Sequence, residues 1–278
     1  MQVNHNGTYF PADGPVLPMN NRAFHFGDGL FETIRVVKGR ACFLDAHRAR
    51  LTEGLRALRI DMPEGLGLDR LRQAIGELLE RNGLQAARCR LTVYRDSPGY
   101  YRPAHNKGAY ALELFTVEHG NFILNDRGFT VDLYPVMRKP VNMLSVHKAL
   151  GAQLNVMASL WSIEQHLDNC LLQNDRGNII ESSSGNLFIV SNGVLYTPPL
   201  SDGCIGGIMR MQVINIALEN KIKVYESSLN PQNLLVADEL FFTNAATGVQ
   251  WVGTYRTKRY GHRMALRLQD LLVEKVLR

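Results

Sequence analysis

Four short segments hold the side chains most able to do chemistry. Asp45-Ala46-His47-Arg48-Ala49-Arg50-Leu51 sets a histidine and two arginines on the first turns of an expected helix. A guanidinium is a planar fork that grips phosphate or carboxylate; the plain alternative is a solvated helix face. Asn142 to Leu150 places Lys148 at the mouth of an apolar helical pattern, outside any charge run. A desolvated lysine has a depressed pKa and can form a Schiff base with a carbonyl, although lysines at helix starts are commonly surface residues. Ile180-Glu181-Ser182-Ser183-Ser184-Gly185-Asn186-Leu187-Phe188 puts a carboxylate beside apolar residues, either in an ordinary hairpin turn or held inward by hydroxyl and amide donors. Asp202-Gly203-Cys204-Ile205-Gly206-Gly207-Ile208-Met209-Arg210 opens from glycines into a helix. Open N–H groups at a helix start bind phosphate, but the segment fits neither the P-loop nor the dinucleotide-binding glycine pattern.

The elements that must position these segments follow from periodicity. Leu30 to Val37 alternates and carries β-branched residues, which predicts a strand, turned by Lys38-Gly39. A helix is expected from a cap at Asp45 through Leu51, Leu55 and Leu58, and a second from Leu68 to Arg81, stopping at Asn82-Gly83. Arg90 to Tyr94 and Ala109 to Thr116 read as strands. Ala149 to Leu167 is a long helical pattern, short strands follow it, and Ile208 to Leu218 and Tyr260 to Leu277 are further helices. Strands and helices mix without strict alternation, so the expected class is α+β. The polar stretch around residues 119–127 suggests a boundary.

Composition narrows the class of function. The chain has 278 residues, 45% hydrophobic and 21% charged, which is ordinary for a folded protein and excludes disorder or collagen-like repeats as the dominant state. The net charge of +5 comes from scattered basic residues with no block of like charge, so no nucleic-acid partner is expected and an anionic small molecule explains it equally well. Cys42, Cys89, Cys170 and Cys204 form no CxxC pair and have no metal-ligand spacing, which predicts reduced thiols, a cytoplasmic protein and no metal. No apolar run approaches 18 residues, so no membrane span is expected.

Taken jointly, an arginine, a glycine-rich helix start, a semi-buried lysine and an inward carboxylate are what pyridoxal 5'-phosphate requires. The sequence resembles the class IV pyridoxal-phosphate-dependent aminotransferases of fold type IV. These include branched-chain and D-amino-acid aminotransferases and 4-amino-4-deoxychorismate lyases. The resemblance rests on Phe26-Gly27-Asp28-Gly29-Leu30-Phe31-Glu32-Thr33-Ile34-Arg35, then His47-x-x-Arg50-Leu51, then Lys148. It continues through Glu181-x-Ser183-x-x-Asn186-Leu187-Phe188 and Gly207-Ile208-Met209-Arg210.

The resemblance implies a small N-terminal α/β domain over residues 1–120, a linker at 121–125 and a larger cofactor-binding domain over 126–278, with the cofactor between them. It implies that Lys148 forms the Schiff base and shuttles the proton. Arg50 and the amides of Ile208 and Met209 would hold the phosphate, helped by the Thr243, Ala245 and Ala246 turn, and Glu181 would pair with the pyridine nitrogen. Glu32, Arg95 and Arg102 are the substrate-side candidates. Arg102-Pro103-Ala104-His105 does not reproduce the Arg-x-His pair of D-specific enzymes, whereas Phe31-Glu32-Thr33-Ile34-Arg35 is close to the branched-chain pattern. The implied activity is amino transfer between a branched-chain-like amino acid and a 2-oxo acid, the broader class of activity in the group, by a homodimer. Met209 and Ala245 stand where many aminotransferases carry threonine, so the lyase, which releases pyruvate and 4-aminobenzoate, is the alternative.

Overall fold

The structure, a computed structural model, describes residues 1–277 and is mixed α+β, as expected. The chain forms two compact units: residues 1–121 with 147–151, and residues 122–146 with 152–277. The short segment carrying Lys148 thus groups with the first unit, although in sequence it lies within the expected second domain.

The first unit is built on a six-stranded sheet. Its strands are β1 (Gln2–His5), β2 (Thr8–Pro11), β3 (Gly29–Val37), β4 (Arg40–Ala41), β5 (Ala87–Arg95) and β6 (Gly108–Phe115), in the order β2-β1-β6-β5-β3-β4. A short helix, α1 (Arg22–Phe26), precedes β3, and α2 (Leu44–Leu58) and α3 (Leu68–Asn82) lie between β4 and β5. Period-two alternation sends Leu30, Ile34 and Val36 of β3 and Cys89, Leu91 and Val93 of β5 into one core with Leu51, Leu55, Leu71, Ile75 and Leu78 of the helices. Phe31 and Thr33 therefore stand on the opposite face from Leu30, and Arg90, paired with Thr33, shares that face.

Two local readings are corrected. Helix α2 begins at Leu44 after Phe43 in the left-handed region, so Asp45 lies in the first turn and is not the cap. There its charge still favours the positive helix end. The helical pattern after Lys148 begins only at Gln153: Lys148 and Ala149 lie outside any helix, and Leu30 bridges Ala149. The Phe31 N–H donates to the Lys148 carbonyl at 2.9 Å and the Leu150 N–H to the Gly29 carbonyl at 3.0 Å. These bonds to a sheet edge replace the intrahelical bonds that the apolar spacing suggested.

The second unit is built on a nine-stranded sheet. In chain order it contains β7 (Phe129–Leu133), α4 (Gln153–Glu164), β8 (Asn169–Gln173), β9 (Ile179–Ser182), β10 (Asn186–Ser191) and β11 (Val194–Thr197). Then come α5 (Ile208–Glu219), β12 (Val224–Glu226), α6 (Pro231–Val236), β13 (Glu239–Asn244), β14 (Gly248–Tyr255), β15 (Lys258–Arg259) and α7 (Arg263–Leu277). Strands β10, β13, β14, β7, β8 and β9 follow one another by pairing, and β9 pairs back to β10 at Glu181 opposite Asn186. Closing the strand order on itself removes sheet edges. Leu187, Ile189, Leu240, Phe242, Val252, Val131 and Leu171, at alternate positions of their strands, form one buried cluster. The start of α7 is capped across the fold, since Glu239 accepts from the Met264 and Ala265 N–H groups at 2.8–3.1 Å.

Candidate active site

In the first unit, Lys148 lies with its amine 4.3 Å from the centroid of the Phe31 ring. The Arg90 guanidinium lies 4.0 Å from the same centroid. A ring face attracts cations, so Phe31 is a platform that gathers both positive groups. Sequence reasoning passed over Arg90; the signal was its alternation with the core residues Cys89 and Leu91.

Lys148, Phe31, Glu32, Arg50 and His147 line one narrow crevice, together with Leu30, Leu51 and Gly54 of the same unit. Gly54 lets the lysine segment pass close to α2, because a Cβ there would stand 2.6 Å from Leu30 Cδ1 and 3.5 Å from His147 Nδ1. The wall of the crevice contains a buried charge cluster. Arg50 Nε donates to Glu32 Oε1 at 2.8 Å, and Arg50 Nη2 donates to Glu32 Oε2. His47 Nδ1 meets the same Oε2 at 2.6 Å. Burial pushes the Glu32 carboxyl up, but the Arg50 charge and the His47 hydrogen bond outweigh it and hold the group down at about 2. Burial lowers the His47 pKa, with the Glu32 hydrogen bond opposing the shift.

Two expected substrate groups are placed elsewhere. Arg95 turns into the fold and uses all three nitrogens there. Its Nε donates to Asp28 at 3.0 Å, Nη1 to the Arg59 carbonyl at 2.9 Å and to Asn106, and Nη2 to the Leu58 carbonyl at 2.7 Å. Asp28 also receives Arg22 Nε at 2.8 Å. Its donors are thus engaged by Asp28, by the end of α2 and by Asn106, an arrangement that holds the fold together. Arg102 is exposed in the loop that follows β5.

In the second unit, Glu181 is buried and held from two sides. Its Oε1 accepts from Lys139 Nζ at 2.7 Å, and its Oε2 accepts from the Ile205 N–H at 2.9 Å. Lys139 had no signal in the sequence, since it lies 42 residues away and only the crossing of chains joins the pair. Asn186, opposite Glu181 in the β9–β10 pair, donates to the Ile205 carbonyl at 2.7 Å. Helix α5 then begins at Ile208 with Gly207 as its cap residue and no side-chain cap. A Cβ on Gly207 would stand 1.9 Å from Asn186 Oδ1, so the close approach requires glycine. Ile208 and Met209 bury their side chains and offer backbone N–H groups of the first turn. Asn186 is also paired with Thr243 on β13. The Thr243 hydroxyl is buried and has no hydrogen-bond partner among the described residues. In the following turn the Ala246 N–H donates to Asn244 Oδ1 at 2.9 Å, with Ala245 beside it.

Two groups of residues are thus assembled: Glu32, Arg50 and Lys148 in one unit, and Glu181, Ile208, Met209 and Thr243 in the other. Residues 29–254 match the family profile described as amino-transferase class IV. A protein of Methanocaldococcus jannaschii, provisionally named a branched-chain-amino-acid aminotransferase, is 30% identical over 250 residues, covering 90% of this chain and 86% of its own. The D-alanine aminotransferase of Bacillus licheniformis is 27% identical over 259 residues, covering 90% of this chain and 86% of its own. Among solved structures, the branched-chain aminotransferase of Thermoproteus uzoniensis with norvaline superposes with a TM-score of 0.90 at 25% identity, covering 100% of this chain and 95% of that one.

Proposed function

This chain belongs to the class IV aminotransferase family, and we propose that it takes its amino group from a branched-chain L-amino acid, using Lys148 as the proton-transfer group. Class IV aminotransferases use pyridoxal phosphate and move an amino group between an amino acid and a 2-oxo acid. The observation that carries the reading for this chain is the Lys148 amine held over Phe31 in a crevice that also contains Arg50.

The residues present fit the cofactor. A phosphate needs several convergent donors, and the uncapped start of α5 and the unpartnered Thr243 hydroxyl are of that kind. The resemblance assigns the Arg50 guanidinium and the turn at Ala245 and Ala246 to the same group, with the Ala246 N–H itself spent on Asn244 Oδ1. Glu181, fixed by Lys139 and the Ile205 N–H, is the acidic partner for the pyridine nitrogen. When bound, the cofactor supplies an electron sink for the pair left at the substrate Cα. Lys148 accepts the Cα proton and returns it on the other side of the transfer. Its position over the Phe31 ring restrains the amine, so fewer orientations must be searched before transfer. Arg90, on the same ring, is our candidate for the substrate carboxylate in place of Arg95, supported by its half-buried position and its nearness to Lys148.

The domain reading follows: residues 1–120 as the small domain, 121–125 as linker, and 126–278 as the larger domain. A homodimer is supported by α4, which leaves Val156, Met157, Leu160 and Ile163 exposed at helical spacing. Four free, buried cysteines support a reducing, cytoplasmic setting. No helix among the described residues is long and apolar enough to cross a membrane, and no cluster of metal-binding side chains occurs among them.

The test is a paired assay. The protein is incubated with 2-oxoglutarate and a panel of L- and D-amino acids, and separately with 4-amino-4-deoxychorismate. Glutamate formation from L-leucine, L-isoleucine or L-valine is expected, and Lys148→Ala should abolish it. Preference for a D-amino acid overturns the donor assignment. Formation of 4-aminobenzoate without amino transfer overturns it in favour of the lyase.

A further inference from the structure

We propose that Glu32 is a positioning residue, whose task is to fix the plane of the Arg50 guanidinium for the cofactor phosphate, with His47 locking Glu32 in turn. The proposal rests on the reading of Arg50 as a phosphate ligand.

Three observations carry it. First, Glu32 is 2% exposed and lies on β3 between Leu30 and Ile34, whose side chains share the core side of the strand. Second, its acceptor positions are already engaged by this chain. Oε1 takes Arg50 Nε at 2.8 Å, while Oε2 takes Arg50 Nη2 and, at 2.6 Å, His47 Nδ1. A carboxylate with three such donors has little left to offer a substrate. Third, the grip on Arg50 is side-on and bidentate. It uses Nε and Nη2, and because a guanidinium is planar, fixing those two atoms fixes the direction of Nη1 as well.

His47 completes the device. It stands three residues before Arg50 on α2, so the two side chains share a helix face. It is 1% exposed, and its Nδ1–H is the donor that a carboxylate oxygen requires. The expectation that Glu32 meets substrate is thereby replaced: the carboxylate acts through Arg50. An arginine side chain has many rotamers, and ordering it beforehand removes part of the entropy that phosphate binding would otherwise cost.

The test separates phosphate recognition from general integrity. Equilibrium dialysis compares pyridoxal phosphate with pyridoxal, which has no phosphate, on the full chain and on Glu32→Gln, Glu32→Asp and His47→Gln. Glu32→Gln is expected to weaken pyridoxal phosphate by roughly ten- to a hundredfold, as for loss of a hydrogen bond to a charged group. Pyridoxal binding should change less than threefold. Inorganic phosphate, used as a competitor against pyridoxal phosphate, should lose potency in parallel. Glu32→Asp should retain charge but not reach, and fall between. Equal weakening of both vitamers, or none, overturns the proposal. Arg50→Ala is measured beside them: if it leaves the ratio of the two affinities unchanged, the phosphate reading of Arg50 is what fails. If Arg50→Ala changes the ratio and Glu32→Gln does not, only the positioning role fails. Should Glu32→Gln not fold, Glu32→Asp and His47→Gln decide, and an unchanged ratio in both counts against the proposal.

Discussion

Replacing Arg95 by methionine should unfold the protein more easily while sparing its affinity for substrate. The side chain is 8% exposed and Asp28 is 15% exposed, so solvent screens their contact little. Methionine keeps the bulk of the stem but removes the guanidinium. Asp28 retains Arg22 at 2.8 Å, so no bare carboxylate is created. The carbonyls of Leu58 and Arg59 and the side chain of Asn106 lose a charged donor. At about 1 kcal/mol for each acceptor stranded at the end of α2, the cost is about 3 kcal/mol. The lost favourable charge at a helix C-terminus adds about 0.5 kcal/mol. For a chain of this size each kcal/mol lowers Tm by about 2–4 °C, so a drop of roughly 7–14 °C is expected. Thermal melts followed by circular dichroism measure it, and initial rates well below the melt give KM for the amino donor. KM should stay within about twofold. A Tm within about 2 °C of the parent with KM raised about tenfold would refute the reasoning and return Arg95 to the substrate. Asp28→Asn is the sharper control. It leaves Arg22 and Arg95 buried without their anion, and should cost about 3–5 kcal/mol.

Three further outcomes can be checked. Gly207→Ala forces a Cβ to within 1.9 Å of Asn186 Oδ1, so it should displace the Asn186–Ile205 bond and weaken cofactor retention by at least about tenfold, read by dialysis. Glu32 titrates near 2 in the folded chain against about 4.5 unfolded, so its contribution is present above pH 4.5 and fades as pH falls toward 2. That shift corresponds to about 3 kcal/mol. His47, whose folded pKa is lowered, contributes a loss that begins nearer pH 6.5, and urea melts between pH 8 and 3 should show both legs. Glu32→Gln should flatten the lower one. The thiols of Cys89 and Cys204 are pushed up to about 12 by burial, and Cys42 to about 11, so native protein should resist alkylation until denaturant is added. Rapid labelling of any of them without denaturant would contradict their burial.

Much of this was legible from the sequence, and the losses have specific causes. The strand at Leu30 to Val37 and the helix near Leu68 came through because one face of each is apolar at its own period. The start of α5 was readable because Gly206-Gly207 directly precedes an apolar helix. The helix expected from Ala149 failed because periodicity counts side chains, whereas Gly29 and Phe31 took the backbone bonds of Lys148 and Leu150. The engagement of Arg95 within the fold could not be read from the sequence, because residue type says what an arginine can bind and not what will face it. Its main anion, Asp28, lies 67 residues away in sequence. Lys139, the partner of Glu181, was hidden for the same reason.

The sequence alone determined the chemistry available: a lysine, an arginine, a glutamate and a glycine-rich helix start, in an order that names a family. Local rules suffice for that, since propensity, period and turn chemistry act within a few residues. Tertiary structure decided the assignment of roles. It engaged Arg95 with Asp28 and α2, paired Glu32 with Arg50 and His47, and seated Lys148 and Arg90 on one phenylalanine ring. Charges and hydrogen bonds act over a few ångströms of space, and only the folded chain decides which residues come within that reach.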